Sequence, residues 1–190
     1  LEIAWSTPVR GMVGLSSPVV AGGQVFLGCR AETSPVDAGL MACDAATGAL
    51  RWFTHLPSGV ALAPAVLGNT VLATTMSDSV YALSASTGER LWTVSQTQAR
   101  YTMTAPIFEG TTAWVGTEPQ VKQIQDGGTV DWTSANFGDP WYPVIYSAPA
   151  VSESYLYYGV FGWPDAATGG FRVLRRSDGG IVYGEGGCVR

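Results

Sequence analysis

The stretch Ala42-Cys43-Asp44-Ala45-Ala46-Thr47-Gly48-Ala49-Leu50-Arg51-Trp52 does not occur once in this chain; it returns. Forty residues on stands Ala82-Leu83-Ser84-Ala85-Ser86-Thr87-Gly88-Glu89-Arg90-Leu91-Trp92, and forty further, degraded but in register, Gly127-Gly128-Thr129-Val130-Asp131-Trp132. A fourth copy, Arg175-Arg176-Ser177-Asp178-Gly179-Gly180-Ile181-Val182-Tyr183, carries Tyr183 where the others carry Trp. A second landmark recurs beside the first: Ser17-Pro18-Val19-Val20, Ala63-Pro64-Ala65-Val66, Ala105-Pro106-Ile107-Phe108 and Ala148-Pro149-Ala150-Val151. Self-similarity at a period near forty is the mark of a repeat architecture.

Each unit divides into four short strands. A Pro-bearing strand A ends in a turn such as Ala21-Gly22-Gly23, and strand B follows (Gln24 to Gly28, Thr70 to Ala73, Thr111 to Val115, Tyr155 to Tyr158). Strand C covers Leu40 to Asp44, Val80 to Ser84, Val121 to Ile124 and Gly170 to Leu174, and a Thr-Gly or Gly-Gly turn leads to strand D with its Trp or Tyr. Glycine in these turns supplies the positive φ that tight hairpins need. The β-branched and aromatic residues between the turns suit a pleated, half-buried surface. Evenly spaced groups of four strands predict an all-β β-propeller of four-stranded antiparallel blades. The expected blades are 16–52, 63–92, 105–132 and 147–183, with 1–6 as the last strand of a preceding blade. Because that first strand has no vacancy to fill, the four blades are expected to form part of a seven- or eight-bladed ring.

The pattern Ala42-x-Asp44-x-x-Thr47-Gly48-x-x-x-Trp52, with its Ser-Pro-Val-Val companion, resembles the tryptophan-docking motif of quinoprotein-like (PQQ-repeat) propellers. The resemblance implies that Trp5, Trp52, Trp92, Trp132 and Tyr183 dock each blade against its neighbour. It also implies an extracytoplasmic setting, periplasmic or secreted. A quinone dehydrogenase of this kind would carry adjacent cysteines, a calcium-binding Glu/Asn/Asp set and a catalytic Asp. No Cys-Cys pair occurs in the sequence. Pyrroloquinoline quinone with calcium is therefore expected only under the alternative reading, and no cofactor under the leading one.

Composition narrows the partner. A net charge of −5 with only 13% charged residues leaves no basic stripe for a phosphate backbone, and Arg172, Arg175 and Arg176 read as a solvated strand edge. No apolar run approaches the roughly 18 residues that span a bilayer. A signal peptide, if one exists, has been removed or lies outside these residues. Three cysteines (Cys29, Cys43, Cys188) without C-x-x-C spacing and one histidine, His55, make a zinc site a poor reading. Strand alternation places Cys29 opposite Leu40 and Cys43 opposite Phe26, too far apart for a disulfide. His55 has no placed nucleophile, and Asp44 reads as the cap of the Thr47-Gly48 turn.

The short A–B and C–D turns share one end of the blades. The long segments Ser6 to Leu15, Arg30 to Ala38, Thr133 to Tyr146 and Phe161 to Gly169 share the other, where binding residues on a rigid scaffold are expected. Within them Trp141, Tyr142 and Trp163, with Asp139 and Asp165 beside them, form a candidate aromatic binding platform. The leading expectation is a non-catalytic scaffold presenting this face to a protein or glycan partner, with self-association or flanking blades completing the ring. The alternative is a fragment of a quinoprotein-like dehydrogenase, or a propeller accompanying a hydrolase such as a phosphoesterase.

Overall fold

The computed structural model describes residues 2–31, 34–60, 62–77, 79–95, 104–117, 120–135, 143–145, 148–162 and 170–183, with side chains for all but 143–145, 161–162 and 183. They form two compact units, Leu1–Ser95 and Gln96–Arg190. Among the described residues the only helical element is a three-residue 3-10 turn, Pro35–Asp37, and no helix is long and apolar enough to cross a membrane.

The first unit holds two antiparallel sheets. One runs β1 (Val19–Ala21), β2 (Gln24–Cys29), β3 (Gly39–Asp44), β4 (Leu50–His55), and the other β5 (Ala65–Leu67), β6 (Thr70–Thr74), β7 (Val80–Ser84), β8 (Arg90–Val94). In each the strands pair in chain order, as hairpins joined by short turns require. The second unit repeats the pattern with β9 (Ile107–Glu109), β10 (Thr112–Thr117), β11 (Gln120–Gln125) and β12 (Val130–Thr133). Its last sheet is built on β14 (Ala150–Val151), β15 (Tyr155–Gly162), β16 (Gly170–Arg175) and β17 (Ile181–Tyr183). Here strand B runs to Gly162, and its far end pairs with an extra strand, β13 (Pro143–Ile145), inside a segment expected to be irregular.

Every sheet has one irregularity at the same place. In β4, Ala42 faces Trp52 and Cys43 faces Leu50, so Arg51 is the extra residue. The same shift leaves Leu91, Asp131 and Val182 extra in β8, β12 and β17. A bulge sharpens local twist and re-aims the next side chain. Here the next side chain is the Trp or Tyr of the repeat.

Two of these indoles make the same three contacts within the first unit. Trp52 donates its Nε1–H to the Ala85 carbonyl at 2.9 Å, and Thr54 donates its hydroxyl to the Gly88 carbonyl at 2.6 Å. The Trp52 ring covers Gly88, whose φ is +75° and where a Cβ would sit 2.7 Å from the indole. Trp5 repeats the arrangement, with its indole to Ala45 O at 3.1 Å, its ring over Gly48 and the Thr7 hydroxyl on the Gly48 carbonyl. Glycine is required at the turn twice over, for its backbone and for the ring above it.

The core of the first unit lies between its two sheets, where Phe26, Leu40, Trp52, Val71 and Leu83 are buried together. Phe26 and Trp52 meet with ring centres 5.9 Å apart. In the second unit Trp114, Val121, Leu156, Tyr158 and Leu174 form the corresponding cluster, with Trp132 packed against it. Each fully buried side chain of this kind contributes about 1.5–3 kcal/mol. Trp52 is buried, whereas Trp5, Trp92 and Trp132 are half-buried.

The pairing of β2 with β3 departs from expectation by one residue. Cys29 faces Gly39, and Cys43 faces Val25, because the 3-10 turn at Pro35–Asp37 takes up the chain before Ala38 and the ladder closes at Gly39. A one-residue slip moves a side chain to the other face. Both cysteines consequently lie on one face with Met41. They are free thiols, four positions apart along the strand pair, about 13 Å.

Candidate functional site

The long segments of the first unit are stitched together by backbone. Met12 and Arg30 exchange both N–H···O bonds at 3.0 Å, which joins the segment before β1 to the loop after β2. Gly11 permits this closeness, since a Cβ there would lie 2.3 Å from the Arg30 carbonyl oxygen. Val60 then donates to the Cys29 carbonyl at 3.0 Å, and Met76 to Gly59 at 3.2 Å, bringing in the connection after β4 and the loop after β6. Four segments so cross-bonded form a rim whose backbone is fixed from both sides.

The side chains on that rim are apolar and face outward. Leu15 is 62% exposed and Val36 63%, with Val9, Met12 and Val13 also exposed. Two guanidiniums sit among them, Arg10 over the Phe53 ring at 5.0 Å and Arg30 donating to the Met12 sulfur at 3.1 Å. An exposed apolar group rimmed by polar residues is what a protein-binding surface presents. The sequence places the run Val9-Arg10-Gly11-Met12-Val13-Gly14-Leu15 within the long segment Ser6 to Leu15 at this end, and its apolar character is the signal that its individual residues carry.

The groups of the first unit that could do covalent or proton chemistry are otherwise engaged. Burial pushes the Cys29 thiol up, outweighing the Gly11 and Arg10 backbone bonds that act the other way, and burial also raises Cys43. Both are protonated at neutral pH and poor nucleophiles. His55, at the exposed end of β4, pairs its Nδ1 with the Ala38 carbonyl at 3.0 Å, while Ser58 donates to the Ser77 hydroxyl at 2.7 Å. Asp44 caps its turn: Oδ1 accepts from the backbone of Ala46 and Thr47 and from the Thr47 hydroxyl. The Arg51 guanidinium, 2.6 Å away, is the main reason its carboxyl falls to about 2, with the Thr47 bonds next.

The expected aromatic platform, Trp141, Tyr142 and Trp163 with Asp139 and Asp165, lies outside the described residues. The backbone that flanks it is described: Pro143 pairs with Gly162 across β13 and β15. Of the expected docking residues, Trp132 donates to the Arg176 carbonyl at 2.9 Å and its ring covers Gly179. Trp92 has its Nε1 buried without a hydrogen-bond partner among the described residues, and Tyr183 faces Val173 in the β16–β17 ladder.

The described residues do not by themselves assemble a quinone and calcium site. Calcium takes a cluster of oxygen ligands, and the family resemblance implies neighbouring cysteines beside it. Cys29 and Cys43 face Gly39 and Val25, and the described residues hold no group of three or more His, Cys, Asp and Glu placed to share a metal ion.

The model of the family described as outer membrane protein assembly factor BamB matches residues 2–139. No curated protein sequence matches significantly. Among solved structures, BamB from Moraxella catarrhalis superposes with a TM-score of 0.69 at 21% identity, over 92% of this chain and 52% of that one. A europium-containing methanol dehydrogenase gives 0.72 at 15% identity, over 95% and 43%. Quinohemoprotein alcohol dehydrogenase from Comamonas testosteroni gives 0.74 at 15% identity, over 96% and 36%. This chain thus spans about half, or less, of the solved chains it resembles, and at such identities the likeness concerns the fold, a β-propeller with four blades in this chain.

Proposed function

Because the chain belongs to the family described as outer membrane protein assembly factor BamB, of PQQ-repeat propeller type, we propose that it is a non-catalytic scaffold outside the cytoplasm that holds a protein partner on its loop-rich rim. The observation that carries this reading is the outward apolar set Val9, Met12, Val13, Leu15 and Val36 on backbone fixed by the Met12–Arg30 exchange. A surface fixed before binding does not lose the ordering entropy that a floppy loop would, so its apolar contacts translate into affinity. Arg10 and Arg30 set the preference within that surface, toward a partner segment that mixes apolar and acidic residues.

In the second unit, beside the Pro143–Gly162 pairing, Trp141, Tyr142 and Trp163 with Asp139 and Asp165 would add an aromatic contact surface of their own. The greater length of the solved relatives supports reading these four blades as part of a larger ring, completed by flanking blades or a second copy. The dehydrogenase alternative asks for a different outcome in a simple titration. With any flanking sequence its gene encodes, the protein is titrated with pyrroloquinoline quinone and Ca²⁺ and the quinone absorbance is followed. The scaffold reading expects the spectrum of free quinone throughout, and saturable binding at one equivalent would replace it with the enzyme reading.

A further inference from the structure

The repeat makes it possible to ask where one blade departs from the others, and in the second unit the departures meet in space. The position that is Ala45 in the first blade and Ala85 in the second is Arg176 in the last, as the shared indole-to-carbonyl bond defines it. The turn-capping position, Asp44 and Ser84 in the first two blades, is Arg175. On the facing blade, the residue opposite the Trp is Gln123 where the first two have Ala42 and Ala82, and its strand B neighbour is Trp114 where the first has Phe26. These four residues line one cleft of about 520 Å³, at the end of the strands opposite to the loop ends, with Glu153 and Tyr155 on its far wall.

The cleft is built. Arg176 sits over the Trp114 ring at 4.7 Å, is paired with Glu109, and donates to the Ser152 carbonyl at 2.8 Å, so the floor is fixed. Trp114 is 1% exposed, yet its indole N–H has no partner, an orphaned donor in a wall where most buried donors are satisfied. Above the floor the groups are polar and exposed. Arg175 is held only loosely by Asp178 at 3.5 Å with about half its side chain exposed, and Glu153 and Tyr155 are exposed.

We propose that this cleft binds a neutral saccharide of about two sugar units. Its volume falls within the roughly 300–1,000 Å³ of small-ligand sites. Glu109 pairs with Arg176 and Asp178 with Arg175, and Glu153 on the wall adds a further negative charge, which disfavours an anion. The Glu153 carboxylate, the N–H groups of Arg175 beyond its Asp178 contact and the Gln123 amide oxygen can bond sugar hydroxyls, beside the Tyr155 ring for the apolar face of a sugar. This site is separate from the rim and does not rest on the protein-partner reading.

Maltose, cellobiose and diacetylchitobiose are each tested by saturation-transfer NMR and calorimetry against the intact protein. At least one is expected to bind with a dissociation constant of about a millimolar or tighter. Glu153→Ala and Arg175→Ala, both at exposed positions, are each expected to weaken it about tenfold, the loss of one charge-assisted hydrogen bond. Circular dichroism and the melting temperature confirm that both variants remain folded. No binding by any of the three sugars overturns the proposal. So does binding that both folded variants leave unchanged, or tighter binding of succinate than of every sugar.

Discussion

Around Trp52 the first two sheets meet through apolar rings and a hydroxyl; around Trp132 the sheets of the second unit meet through rings and ions. Trp52 is buried against Phe26, and Thr54 adds a hydrogen bond to the Gly88 carbonyl. Trp132 keeps the indole bond and the glycine beneath it, but Ser134 turns its hydroxyl to the Ala135 carbonyl and to the Val121 N–H. In place of the lost bond stands Arg176, stacked on Trp114 and paired with Glu109. One backbone design thus tolerates two chemistries. The apolar one gives a closed seam, and the ionic one leaves a polar cleft beside it.

The largest test of this contrast is truncation of the rings. Trp52→Ala should cost about 3–5 kcal/mol, as large buried truncations do, and Trp132→Ala about 2–3 because the ring is half-buried at the start. Equal losses in denaturant unfolding would remove the distinction. Gly88→Ala comes next, at about 2–4 kcal/mol, since its φ of +75° is compounded by the Trp52 ring 2.7 Å away. Gly22→Ala, with φ +54° and open space around it, should cost only about 1–2, and a matching loss there would mean that the ring adds nothing.

Smaller still is Glu109→Gln. Its pair with Arg176 is half-exposed on the Glu109 side, so the loss should be at most about 1 kcal/mol and should vanish in high salt. A loss that persists in molar salt would show the pair to be better shielded than its exposure implies. The smallest effect concerns pH. The Asp44 carboxyl is depressed to about 2 in the folded chain, chiefly by Arg51, from the ordinary 3.8 of an aspartate. Its contribution is present above pH 4 and fades as pH falls toward 2, so Asp44→Asn should flatten that part of the acid limb. An unchanged limb would mean that the turn bonds, not the charge, set its role.

Much of the fold was legible because the repeat is local. The Thr-Gly turn, the Pro-bearing strand and the Trp each follow from a few adjacent residues, and strand B came out at Gln24–Cys29 against an expected Gln24 to Gly28. The bulged residues Arg51, Leu91, Asp131 and Val182 share no residue type, so the bulge is imposed by docking the following ring and leaves no local signature. The cysteine register failed by one because it turned on a 3-10 turn with no periodicity to read. The rim was legible as a location, from loop length, but not in its residues. Val9, Met12 and Leu15 look like ordinary core candidates until the structure turns them outward. Arg176 was visible as part of a basic cluster, and only its meeting with Trp114 and Glu109 gave it a place in a cleft.

Whether the rim, and not the turn end, holds a protein partner is read out by photo-crosslinking in the cells that make the protein. A benzophenone amino acid is placed at Leu15 on the rim and, separately, at Thr87 on the exposed turn of the second blade. The account predicts one discrete adduct from position 15, lost when Val36→Asp is combined with it, and none from position 87. No adduct from position 15, or the same adduct from both positions, would contradict it.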